Sequence, residues 1–201
     1  MPLIDTVVFD VGNVLLDWNP RHLYRKLFAD EARMEWFLAH ICTPAWNIEQ
    51  DRGRSFAEAV AELMTHHPQW EPEIRAFDAR WGEMIAGEIA GSVALLSRLK
   101  GKVALYAITN FSGEKYAQAL ERFAFLRDFQ GVVVSAHEGL LKPDLAIYRL
   151  FLDRYGREAS RCLFIDDSAR NAEGARRAGM HAVQFVDAVG LARDLAAFGL
   201  L

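Results

Sequence analysis

Two cysteines, Cys42 and Cys162, are all the chain contains. They stand far apart among apolar neighbours, without metal-type spacing, so neither a disulfide scaffold nor a zinc module organises the fold, and a reduced, cytoplasmic setting is expected. No apolar run approaches the roughly 18 residues of a membrane span. The opening Met1-Pro2-Leu3-Ile4-Asp5 lacks the basic start and apolar stretch of a secretory leader. Positive charge is not in excess: 23 Lys and Arg face 27 Asp and Glu, a formal net charge of −4, which gives no electrostatic reason to bind nucleic acid or an anionic membrane. Internal repeats and low-complexity tracts are missing too. Apolar side chains are plentiful, 52% of 201 residues against 25% charged. That is enough for the core of one ordinary domain, or of a core carrying a modest insertion.

Short apolar runs rich in Val, Ile and Phe read as strands buried on both faces: Thr6 to Phe9, Val103 to Ile108, Gly131 to Val134, Cys162 to Ile165 and Ala182 to Phe185. From Val103 onward they alternate with helical spacing over Gly113 to Phe123, Leu145 to Tyr155, Ala169 to Ala178 and Leu191 to Phe198. Ser112 and Ser168 suit N-caps, Gly179 a C-terminal stop, and Pro143 the start of a helix. This alternation predicts an α/β fold with a doubly wound, Rossmann-like parallel sheet. One interval breaks it. About ninety residues separate the first two strands with no convincing strand between; Arg21 to Phe28, Glu31 to Ile41, Phe56 to Thr65 and Glu71 to Ile85 look helical, punctuated by Pro20, Pro44, Gly53, Pro68 and Pro72. The chain therefore divides into an α/β core over 1–17 and 87–201 and a helical cap over 18–86. A cap leaving from the end of strand one stands over the edge where open α/β sheets bind ligands, and reads as a lid.

Polar residues appear where the apolar runs stop: Asp10, Thr109-Asn110, Lys142 after a short loop, and Asp166-Asp167. In a parallel sheet all of them reach one edge. One carboxylate at a strand end is commonplace; this convergence is not. Three carboxylates crowded together raise one another's pKa unless a cation intervenes, and Lys142 supplies one positive charge. An all-oxygen donor set suits a hard divalent ion, with Mg²⁺ the best fit beside a phosphate. Such an ion also screens the repulsion between a carboxylate nucleophile and a phosphate dianion. Thr109 and Lys142 are then suited to hold the phosphoryl oxygens, and attack by Asp on phosphorus gives an aspartyl-phosphate that water hydrolyses.

Phe9-Asp10-Val11-Gly12-Asn13-Val14-Leu15, Ile108-Thr109-Asn110, Glu138-Gly139-Leu140-Leu141-Lys142-Pro143 and Phe164-Ile165-Asp166-Asp167-Ser168, with Asn171, Gly174, Ala175 and Gly179, together resemble the four ordered motifs of the haloacid dehalogenase-like (HAD) hydrolases. The resemblance spans the chain, with a helical cap after strand one. It implies that Asp10 is nucleophile and metal ligand, that residue 12 offers a backbone carbonyl to Mg²⁺, and that Asp166 and Asp167 hold the ion directly or through water. Thr109 and Lys142 bind the phosphoryl group, and Asn110 sits at the phosphate pocket or orients Thr109. The implied activity is hydrolysis of a small phosphorylated metabolite by a monomer or homodimer.

One departure from the family pattern matters. Many of its phosphatases carry a second aspartate two residues after the nucleophile, as general acid for the leaving oxygen. Here that position is Gly12, so the proton must come from elsewhere. The Asp-x-Gly-Asn form is similar to a subgroup that includes a bacterial glucose-1-phosphate phosphatase, and an anomeric oxygen, as a better leaving group, would tolerate the loss. A carbon–halogen hydrolase is the alternative, though it needs no metal and usually lacks the paired acids. A non-catalytic binding protein on the same fold is the other.

In the cap, Trp18, Asn19, Trp46 and Asn47 are open to substrate contact or to core packing. Arg52, in the run Glu49-Gln50-Asp51-Arg52-Gly53, is a candidate for substrate binding or cap closure. Asp17 suits a turn or hinge, and His66-His67 a helix end; Lys115 is placed at the surface or approaching the site from the helix after Asn110.

Overall fold

The computed structural model describes residues 4–201. Its main sheet has five parallel strands: β1 (Thr6–Phe9), β4 (Ala104–Thr109), β5 (Gly131–Val134), β6 (Cys162–Asp166) and β7 (His181–Gln184). Their order is β5-β4-β1-β6-β7, so the chain reverses its winding direction at β1. Every residue of β1 is buried, because strand neighbours cover its edges and helices cover both faces. Alternation along the strand divides the core. Val7 and Phe9 pack with Leu163, Ile165 and Ala107 on one face. Val8 packs with Ile108, Phe164, Tyr148 and Phe151 on the other.

Register sets the site. Phe9 lies opposite both Ala107 and Ile165, and the ladder continues one step as Asp10 N–H donates to Ile165 O at 2.8 Å. Asp10, Thr109 and Asp166 thus come to the same edge. The strand runs, the sheet and the α/β class agree with the expectation. So do the helices Gly113–Arg122, Leu145–Tyr155, Ala169–Arg177 and Ala188–Ala197 (α7, α9, α10 and α11). Ser112 caps α7 by accepting from Lys115 N–H at 3.2 Å. Ser168 stands at the start of α10, but its side chain makes no cap bond.

The segment after β1 carries five helices: α1 (Arg21–Tyr24), α2 (Glu31–His40), α3 (Pro44–Asp51), α4 (Phe56–His66) and α5 (Glu71–Ala79). They pack around an aromatic cluster in which Tyr24 and Phe37 have ring centroids 5.1 Å apart, Phe37 and Trp70 5.3 Å, and Trp46 and Phe77 5.0 Å. Two short strands, β2 (Leu16–Trp18) and β3 (Ile85–Glu88), pair antiparallel at the stem and bring the segment's entry and exit together. The sequence revealed neither strand. They are three and four residues long and carry Asp17 and Gly87, too little for an alternating pattern to register.

Two helices of eight or more residues escaped the sequence reading as well, besides a single turn at Ser135–Glu138 within the loop before Lys142. Pro44 begins α3 instead of breaking the chain, with Thr43 Oγ1 accepting from Trp46 N–H at 3.0 Å. In α6 (Ala90–Leu99) a glycine sits in the first turn. A Cβ on Gly91 would lie 2.5 Å from Ala188 Cβ, so this weak helix former is present because α11 packs against it. Among the described residues no helix is long and apolar enough to cross a membrane.

Buried polar contacts tie the cap helices to the sheet. Ser135, fully buried at the start of α8 (Ser135–Glu138), accepts from Phe111 N–H at 2.9 Å and donates to Asp51 O at the end of α3. Gly53, at φ +121°, passes so close to Ala136 O that a Cβ would lie 3.0 Å from it. Lys115, expected at the surface, is buried: it is bonded to Asp78 of α5 and its ammonium lies 4.7 Å from the centroid of the Phe56 ring.

Ser135→Ala leaves the Phe111 N–H and the Asp51 carbonyl without their shared partner. The expected cost is about 1–3 kcal/mol, seen in urea as a lower midpoint with an unchanged slope. An unaltered midpoint would show that this hydroxyl does not tie the cap down.

Candidate active site

Asp10 leaves β1 with little exposure. Its Oδ1 accepts from Val11 N–H at 2.7 Å and lies 2.8 Å from Lys142 Nζ. The same ammonium donates to Asp166 Oδ2 at 2.6 Å, so Lys142 is wedged between two carboxylates. Burial works against the ammonium, but Asp10 and Asp166 outweigh it, and the Lys142 pKa stands above its ordinary value. For Asp10 burial dominates; despite Lys142, and with Asp166 adding repulsion, its carboxyl is pushed up to about 7.

Supporting groups hold this cluster in place. Asp166 is fully buried, and its Oδ1 accepts from Ser168 N–H at 2.8 Å and Asn171 Nδ2 at 3.0 Å. Asn110 faces the backbone of Lys142: its Oδ1 accepts from Lys142 N–H at 2.9 Å and its Nδ2 donates to Lys142 O at 3.1 Å. Its amide is therefore engaged in aiming the lysine. Asp167, half-buried, has its pKa raised by burial and by Asp166.

One ligand oxygen from each of Asp10, Asp166 and Asp167 can be chosen so that all lie within 4.8 Å of one another. Lys142 is the ammonium among these three acids, so two negative charges stay uncompensated if all ionise. The donor set is hard, all oxygen and over-charged, which fits a divalent cation of the Mg²⁺ type. Beside it, Thr109 Oγ1 is buried at the end of β4 with no partner among the described residues. A buried hydroxyl at a strand end beside a charged cluster is free to donate to a ligand oxygen. Gly12 adjoins the cluster; a Cβ there would meet nothing within 4 Å, so the position is open space.

Above this rim lie two cavities. A small one of about 70 Å³ is lined by Gly12, Asn110, Ser112, Lys115 and Asp51, with the aromatic rings of Trp18, Phe56, Trp81 and Phe111. A larger one of about 660 Å³ shares Trp18, Asn47 and Asp51 with it and extends along Leu38, Ile48 and Phe77. Trp18 borders both, and its buried Nε1–H has no partner among the described residues. Arg52 lines neither; its guanidinium is exposed, 3.6 Å from Glu49. The structure thus gathers Asp10, Gly12, Thr109, Asn110, Lys142, Asp166 and Asp167, brings Trp18 to the cavities above them, and leaves Arg52 outside.

Asp51 is the residue that the sequence reading passed over. Its side chain borders both cavities, with Asn47 Nδ2 3.4 Å from its Oδ2. Burial pushes its carboxyl up to about 7, against the pull of the Ser112 N–H and the Lys142 charge. A signal was available: a carboxylate in the last turn of a helix opposes the macrodipole, and such local misfits gather at functional sites.

A family model described as haloacid dehalogenase-like hydrolase matches residues 4–179. A sesquiterpene phosphatase of Aspergillus oryzae is 27% identical over 190 residues, 94% of this chain and 93% of that protein. A phosphatase of Mycobacterium tuberculosis is 41% identical over 88 residues, 43% of this chain and 40% of its own length. Among solved structures, a HAD family enzyme of Bacteroides thetaiotaomicron in complex with magnesium and inorganic phosphate is 19% identical; the match covers 92% of this chain and 95% of that one, with a TM-score of 0.72.

Thr109→Val keeps the shape and the β-branch while removing the orphan hydroxyl. The ligand-free protein should be as stable or more stable, by up to about 1 kcal/mol, while activity is lost. A thermal melt without ligand checks the first half; a large destabilisation would mean that the hydroxyl has a structural partner.

Proposed function

The chain belongs to the haloacid dehalogenase-like hydrolases, and from that premise we propose that it is a Mg²⁺-dependent phosphatase acting on a small phosphate monoester through an aspartyl-phosphate. The observation that carries this reading is the gathering of Asp10, Asp166 and Asp167 about Lys142 beside the unpartnered hydroxyl of Thr109. Asp10, the Gly12 carbonyl, Asp166 and Asp167 would hold the ion. When bound, it supplies positive charge between the nucleophile and the phosphoryl oxygens. Asp10 attacks phosphorus with its carboxylate. Lys142 and Thr109 hold the phosphoryl oxygens as charge redistributes, and Asn110 keeps Lys142 aimed. The paired acids favour this over carbon–halogen cleavage, which needs no cation. We assign the recognition unit to the helices between β2 and β3, within the cap boundary of 18–86.

The esterified group is read from the cavities. Trp18, Phe56, Trp81 and Phe111 give the small cavity apolar walls, and Lys115 is committed to Asp78. A polyol finds few free partners there. This lining supports the phosphate of an alcohol with an apolar body over the sugar phosphate suggested by the Asp-x-Gly-Asn motif. The likeness to a protein named as a sesquiterpene phosphatase points the same way.

Purified protein with Mg²⁺ should release phosphate from an isoprenyl monophosphate faster than from a sugar 1-phosphate or 6-phosphate. Asp10→Asn should lower kcat by at least about 10³-fold. Equal rates for wild type and Asp10→Asn would sink the phosphatase reading, and chloride release in EDTA would favour the dehalogenase.

Mg²⁺ also gives a pH signature. Asp10 and Asp51 are pushed up to about 7, and Asp167 is raised. A carboxyl whose folded pKa is raised contributes stability that is full below its unfolded value and is lost as pH rises through its folded value. The metal-free protein should therefore lose stability from below about pH 4 to above about pH 7. Because the ion binds carboxylates and protons compete for them, the Mg²⁺-induced rise in Tm should be larger at about pH 8 than at about pH 5.5. A rise independent of pH would place the ion elsewhere.

A further inference from the structure

Gly12 offers the leaving-group oxygen no side-chain acid, and the cavity at Gly12 contains a carboxyl that can serve instead. Among the described residues lining it, Asp51 is the one that carries a carboxyl. The other ionisable group there, Lys115, is bonded to Asp78 and stacked on Phe56. Asp51 is also held in place. Its backbone carbonyl accepts from the buried Ser135 hydroxyl, its side chain is near Asn47 Nδ2 and the Ser112 N–H, and Lys142 stands close enough to act on its charge. We propose that Asp51, carried on the cap helix α3, is the proton donor to the leaving oxygen, replacing across the cavity the acid absent at Gly12.

The inference rests on the phosphatase reading and adds to it. An Asp10 oxygen forms a bond to phosphorus while the bond from phosphorus to the alkoxyl oxygen breaks. The electron pair of that bond stays on the alkoxyl oxygen, which takes the Asp51 proton and leaves as the alcohol. Asp51, now a carboxylate, accepts a proton from water as the water oxygen attacks phosphorus. The bond from phosphorus to Asp10 breaks, inorganic phosphate leaves, and both carboxyl groups return to their starting forms. The carboxyl of Asp51 held up at about 7 by burial suits a group that must give and retake a proton near neutrality.

The test compares an unactivated alkyl phosphate, whose alkoxide needs a proton, with p-nitrophenyl phosphate, whose phenolate does not, both with Mg²⁺. It reads kcat/KM, which reports events through alcohol release. Asp51→Asn should lower kcat/KM on the alkyl ester by about 10²- to 10³-fold and on the nitrophenyl ester by at least about tenfold less. Since a side chain at residue 12 meets open space, Gly12→Asp added to Asp51→Asn should recover at least about tenfold on the alkyl ester. Equal losses on both esters, or no loss on the alkyl ester, would overturn the Asp51 role. If circular dichroism shows that Asp51→Asn has lost its fold, Asp51→Ser carries the same comparison. A wild type inactive on both esters overturns the phosphatase reading itself; an active wild type with a uniform loss in the variant overturns only Asp51.

Discussion

The ammonium of Lys142 between Asp10 and Asp166 is the interaction on which the rest of the molecule turns. A buried charge without partners is strongly unfavourable, and removing one member of a buried pair leaves the other exposed to that cost. The sheet solves this by register. β1 and β6 end in step, so their terminal acids meet, and the loop after β5 delivers the lysine from the far side of β4. Asn110 fixes the lysine backbone, while Asn171 and Ser168 N–H satisfy the remaining lone pairs of Asp166. Lys142 and Asp166 each bond to more than one element, and Asp10 adds the N–H of its neighbour Val11 to its bond with Lys142.

The helical segment between β2 and β3 contributes in another way. Its helices are held by aromatic packing that is indifferent to charge, so its inner surface is free to be largely apolar where it meets the rim. An apolar core continuous from Val7 and Phe9 of the sheet to Phe37 and Phe77 joins it to the sheet, and the Ser135 hydroxyl, the Lys115–Asp78 pair and the close passage of Gly53 over Ala136 add local ties. These contacts lie near the cavity, so the elements that close the site also fix the groups facing it.

Much of the core was legible in the sequence because its strands are covered on both faces. Full coverage makes a run such as Thr6 to Phe9 uniformly apolar, and the first polar residue after it then stands out as a strand end. Asp10, Thr109 and Asp166 could be placed at strand ends this way, and parallel topology brings those ends to one edge. The cap stem was illegible for the opposite reason: β2 and β3 are too short to carry a period. Lys115 and Asp51 were misjudged or missed because their burial depends on the packing of α3 and α5 against the sheet, which no local pattern records. Arg52 drew attention as the charged neighbour of a turn, yet the helical phase of α3 turns Asp51, and not Arg52, toward the cavity.

The unpartnered hydroxyl of Thr109 links folding to occupancy. A small oxyanion can accept from it, and whatever binds only the native state shifts the folding equilibrium by mass action. Resistance to heat or denaturant therefore reports on what fills the rim without any turnover, and a library of phosphorylated compounds can be ranked by thermal stability alone on the Asp10→Asn protein, which the proposed function makes inert.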